Sequence, residues 1–155
     1  MTKKHAYEYW CAIDGDDTAH KPALVPMSER ILTRKFQYYL FMEVYRQIEA
    51  QTIKTVTKHD VSHVYAHDYV INWDNIPKKV REVLVDMTYR VDNTGKNGVL
   101  GNTREWYIPA LVTDLKEGLS GENSHFYTVM ADEKQWCRKY GVSKVRVKNR
   151  VRALL

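Results

Sequence analysis

The stretch Trp73 to Val91, WDNIPKKVREVLVDMTYRV, constrains the chain more than any other. Ile76, Val80, Val83, Leu84, Met87 and Val91 recur at three- and four-residue spacing, with Lys78, Lys79, Arg81, Glu82 and Arg90 mostly between them. That period belongs to a helix with one apolar side. Val85 and Tyr89 widen the stripe, so the helix is expected to be enclosed by neighbours. Asp74 or Asn75 suits the cap, Pro77 tolerates the first turn, and Asp92, Asn93 and Gly95 stop the helix.

The rest of the chain reads as helices arranged around this one. A short amphipathic start covers His5 to Ile13. It is followed by an Asp14-Gly15-Asp16-Asp17 turn and an irregular segment to Pro26. A long aromatic helix runs from Ser28 or Thr33 to about Ala50, with Phe36, Leu40, Val44 and Ile48 in one row. The β-branched residues from Gln51 to Val56 predict an extended link. Thr57 then caps a helix carrying Val61, Val64, Tyr65, Ala66 and Tyr69. Beyond the loop 93–102, helices are predicted from Thr103 to Gly118 and from His125 to Tyr140, the latter ended by Gly141. Ser143 caps a basic terminal helix. The fold class is therefore mainly α, or α+β if a small N-terminal hairpin exists. We expect a single domain over 1–155, with a reduced N-terminal lobe at 1–27 and a helical lobe at 28–155.

Composition removes several classes of function. With 44% hydrophobic residues the chain is not disordered, and no apolar run reaches membrane-spanning length. Met1-Thr2-Lys3-Lys4 leads into polar aromatic sequence rather than a signal-peptide core. Cys11 and Cys137 lack CxxC partners and read as free thiols. The net charge of +5 favours a polyanionic partner.

Few patterns carry chemistry. His59, His63 and His67 stack along one helical face, but three ligands from one straight helix suit a single metal poorly, and no HExxH glutamate is present. We expect neither metal nor cofactor. The Asp14-Gly15-Asp16-Asp17 turn lacks the later ligands of a calcium loop. Lys144, Arg146, Lys148, Arg150 and Arg152 could track phosphates, yet they have no aromatic interleaving. Glu8, beside Tyr7, Tyr9 and Trp10, is placed for a protonated carboxyl, and Asp14, Asp16 and Asp17 could supply the second carboxylate of glycoside hydrolysis.

A family resemblance sharpens this reading. Trp73, Asp74, Ile76, Pro77, Val80, Leu84, Asp86, Met87 and Tyr89, followed by the glycine-bearing turn, resemble the core helix and loop of phage-type muramidases and pesticin-like lysozyme domains. Gln135-Trp136 through Arg146, Asn149, Arg150 and Leu154 is similar to that family's closing tryptophan and arginine-rich helix. The LTRKFQYYLFMEVY segment resembles its long connecting helix. The resemblance covers about residues 29 to 155 and implies a lysozyme-like helical domain around a buried helix 76–91, acting on bacterial peptidoglycan. It implies Glu8 as general acid, Asp17 orienting water or stabilising positive charge, Thr18 positioning that water, and Arg146 and Arg150 favouring the anionic wall. It leaves location open: delivery to the periplasm or wall by a non-classical route, or as part of a larger protein. The chain departs from the family in lacking the Thr-Ile-Gly-x-Gly-His hairpin. The alternative reading is a non-catalytic basic helical protein that binds nucleic acid, glycan or a partner protein.

Overall fold

The computed structural model describes residues 34–98 and 101–155. The expected N-terminal helix, the Asp14–Asp17 turn, Glu8, Cys11, Asp17 and Thr18 lie outside them. Every regular element among the described residues is helical: α1 Arg34–Val56, α2 His59–Tyr65, α3 Lys78–Tyr89, α4 Arg104–Glu117, α5 His125–Ala131 and α6 Lys144–Leu154. The class is mainly α, and no described residue is in a strand. The chain divides into two compact units, 1–47 and 48–155, with the division falling within α1.

In the first unit the described residues 34–47 are helical and leave Tyr38 and Phe41 exposed. In the second, α3 is the central core element. Val80, Val83, Leu84, Val85 and Met87 are all buried, and Ile76 joins them from the turn before the helix. Each such side chain stabilises the fold by about 1.5–3 kcal/mol relative to exposure. Around it, α6 packs on α3 and α5, α5 packs on α4, and α4 packs on α2.

Polar side chains set where these helices begin. The Asn72 side chain accepts from Asp74 N at 3.0 Å, closing the 3-10 turn Trp73–Asn75 that leads through Pro77 into α3. Asp114 receives the first two amides of α5, from His125 at 2.7 Å and Phe126 at 2.8 Å, while Ser124 Oγ takes the amide of Tyr127. A buried carboxylate thus ties the start of α5 to the last turn of α4. Ser143 caps α6 as expected.

Several expectations are corrected. The segment Gln51 to Val56 is not an extended link; it completes α1. Thr52 Oγ1 donates to the Ile48 carbonyl at 2.7 Å, and Thr52 and Val56 are wholly buried, so burial overrides β-branched preference. Thr57 does not cap the next helix; its hydroxyl donates back to Ile53 O at 2.8 Å. Val64 is exposed while Ser62 is buried. Tyr89 turns outward instead of widening the stripe, and Val91, expected within the stripe itself, is exposed too. The helix from His125 stops at Ala131; Asp132 Oδ1 then caps a wider π turn, Gln135–Lys139, by accepting from Gln135 N.

Val91 ends α3 with a left-handed backbone, φ 61°. The next amide, Asp92 N, closes on Met87 O at 2.8 Å, so this is a helix terminus where glycine is the usual occupant. A β-branched residue there costs about 1–3 kcal/mol. Because the Val91 side chain is largely exposed, Val91→Gly removes strain without opening the core. We expect it to stabilise the protein by about 1 kcal/mol net of glycine's greater unfolded-state entropy. The check is a higher urea midpoint at unchanged slope.

Candidate functional site

Two polar clusters sit on either side of the C-terminal end of α3. The first joins α3 to α6. Val147, Arg150 and Leu154 share the buried row of α6, which draws a guanidinium into the interior at 3% exposure. Arg150 Nε donates to Asp86 Oδ2 at 2.8 Å, and Nη2 donates to Asp92 Oδ2. Asp92 is 1% exposed and Asp86 41% exposed. Arg146 stands at the rim, with Nη1 3.5 Å from Asp92 Oδ1. The Arg150 guanidinium also lies 6.0 Å above the Trp136 ring, and its Nη1 has no hydrogen-bond partner. A cleft of about 230 Å³ opens beside these groups, lined also by Glu82, Arg90 and Asn149.

Trp136 carries the cluster into the aromatic core. Its indole N–H donates to Val129 O at 2.9 Å, satisfying a carbonyl near the break after α5. Its ring lies 5.2 Å from Trp106 and 5.5 Å from Tyr140, centroid to centroid.

The second cluster fixes the loop after α3 to the start of α4. Thr103 Oγ1 donates to Asp92 O at 2.7 Å and accepts from Thr94 N at 2.9 Å. Asn93 Oδ1 receives the Tyr107 hydroxyl at 2.6 Å and Arg104 Nε at 3.0 Å, while Arg104 Nη2 donates to Asn93 O at 3.1 Å. Asn93 Nδ2 donates to Thr88 Oγ1, returning the network to α3. Burial pushes the Tyr107 phenol above the ordinary tyrosine range, so it remains a neutral donor.

Of the residues singled out in the sequence, Arg146 and Arg150 come together, both on Asp92. Glu8, Asp17 and Thr18 lie outside the described residues. The histidine row is broken: the His59 and His63 rings stack nearly parallel, 6.4 Å apart, but His67 has left the helix with φ 49°. His63 Nδ1 instead lies 2.8 Å from Asp68 Oδ1. Among the described residues no group of three or more His, Cys, Asp or Glu could hold a metal. No described helix is long and apolar enough to cross a membrane. Cys137 is a free thiol.

The sequence reading missed Asp92 as an ion-pair partner, treating it only as a helix stop, and missed Asn93, Arg104 and Tyr107. The signal for Arg150 was its three- and four-residue spacing from Val147 and Leu154, which places it in the inward row.

Comparison with known proteins supplies a family but no activity. No curated protein and no solved structure matches the chain. Residues 16–151 match the family described as Domain of unknown function (DUF8812), and with this span of match the chain belongs to that family.

Proposed function

We propose that the chain is a lysozyme-like protein acting on bacterial peptidoglycan, with the described helices forming its helical lobe. One observation carries the reading. The two blocks that resemble muramidases, the helix around Asp86 and the closing Trp136–Arg150 segment, are far apart in sequence and meet through Arg150 on Asp86 and Asp92. In this reading Glu8 protonates the glycosidic oxygen, Asp17 steadies the developing positive charge or orients water, and Thr18 helps place that water. Arg146 at the rim, with the exposed cations of α6, favours approach to an anionic wall.

The test is turbidity loss of purified peptidoglycan, wild type beside Glu8→Gln. The reading expects lysis by the wild type and none by the variant, with the circular-dichroism melt unchanged. Full lysis by Glu8→Gln removes Glu8 as the acid. No lysis by folded wild type removes the enzymatic reading.

A second reading draws on α6. Lys144, Lys148 and Arg152 recur every four residues along one exposed side, a row that could track a polyanion without catalysis. It expects steeply salt-dependent affinity for DNA or RNA, from counterion release.

A further inference from the structure

A second basic cleft shares no lining residue with the cleft beside Arg150. It has a volume of about 310 Å³ and lies between α2, the turn 95–98 and the start of α4. Arg104 is its fixed member. Asn93 grips the guanidinium twice, at Nε through its side chain and at Nη2 through its backbone carbonyl. The Tyr107 hydroxyl and Thr88 hold Asn93 in turn. Nη1 is the arm that Asn93 does not engage.

Gly95 leaves that arm approachable. A Cβ at Gly95 would lie 3.2 Å from Arg104 Nη1, a tight contact, and 3.7 Å from the Tyr65 hydroxyl, so both donors face this glycine and its lack of a side chain leaves more room before Nη1. At Gly98 a Cβ would come within 2.3 Å of the Thr94 side chain, so the turn closes only with glycine there. Lys96, between the two glycines, lines the same cleft. The one carboxylate on the lining, Asp60, is met by Lys58 Nζ at 2.7 Å, leaving Lys96 and Arg104 to set the local charge. Val64, 63% exposed, and Tyr65 give the wall an apolar portion.

We propose that this cleft binds a small oxyanion, a carboxylate or phosphate carried on a partly apolar body, through Arg104 Nη1, Lys96 and the Tyr65 hydroxyl. The arginine is held before the ligand arrives, so little of its side-chain entropy remains to be lost on binding.

Acetate and methyl phosphate, each an oxyanion on a single methyl group, separate the two ligand sources. Each is titrated into the ¹⁵N-labelled full chain at constant ionic strength, following the Gly95 and Gly98 amides and Arg104 Nε. Saturable shifts at these positions are expected. Lys96→Glu should weaken binding at least about tenfold, the scale of one charge-assisted hydrogen bond. Lys79→Glu, an equal charge change on the exposed side of α3, should leave it unchanged. Tighter binding of methyl phosphate assigns the site to phosphate, and comparable binding of acetate assigns it to carboxylate. Non-saturating shifts, or equal weakening by Lys79→Glu, overturn the proposal. Both lysines are exposed, so neither variant threatens the fold, and no readout depends on wall lysis.

Discussion

Replacing Arg150 with methionine is expected to destabilise the protein by about 3–5 kcal/mol, the cost of leaving a buried charge without its partner. The cost falls on Asp92 rather than Asp86. Asp92 is 1% exposed and cannot turn to solvent, whereas Asp86 is 41% exposed and can be hydrated where it stands. Arg146 reaches Asp92 only at 3.5 Å from the rim and makes up little of the loss. Arg150→Lys should recover part of the stability, because an ammonium supplies the charge but not the fork that spans two carboxylates. The sharper comparison is Arg150→Met combined with Asp92→Asn. Removing both charges abolishes the stranded carboxylate, so the double variant should be more stable than Arg150→Met alone. Urea unfolding of the three variants checks the ranking. A single Arg150→Met variant within 1 kcal/mol of the wild type, in the sense of a surface pair, would contradict the assignment.

Trp136→Ala should be comparably damaging. Removing a fully buried tryptophan costs about 3–5 kcal/mol through lost transfer energy and the cavity left behind. Here it also removes one ring from a three-ring cluster, in which Trp106 and Tyr140 also touch each other, and leaves the Val129 carbonyl without its indole donor. Trp136→Phe isolates the second part. It keeps an aromatic ring in the stack and loses the N–H, so about 1–2 kcal/mol of the effect should remain, the value of one buried hydrogen bond with some packing loss. Against a total stability of about 5–15 kcal/mol for a domain, the alanine variant should be marginally folded at best. The check is the urea midpoint of the two variants side by side.

The fold was most legible where a single physical demand governed the residue. Ile76, Val80, Val83, Leu84 and Met87 had one reason to recur at helical spacing, and all five are buried. Glycine at 118 and 141 marked turns in the left-handed region, as their φ of 67° shows. Legibility failed where two demands competed. Thr52 and Val56 favour strands as residues, yet here their burial decides, and the threonine hydroxyl finds the carbonyl one turn back. The segment after Ala131 looked like more of the same helix, because nothing local announces that Asp132 will cap a new turn and that Trp136 will bond across the break.

The polar clusters were harder still, because their partners are remote. Arg150 was visible as a cation on a basic helix and was read as facing an anionic wall; its spacing from Val147 and Leu154, which puts it in the buried row at 3% exposure, went unread. Its acceptors lie 58 and 64 residues earlier, and no local pattern couples them. Arg104, Asn93 and Tyr107 form a network over 11 to 14 residues of separation, across a loop whose glycines signal a turn but not what the turn holds.

That remoteness also bears on how the chain is made. Translation adds about 5–20 residues per second, so the 58 residues from Asp92 to Arg150 take about 3–12 s to synthesise. During that interval α3 has emerged with its apolar stripe but without the arginine that its two aspartates will hold. The buried pair on Asp92 can form only once Arg150 has been made, so this part of the core is completed by one of the last helices to be synthesised.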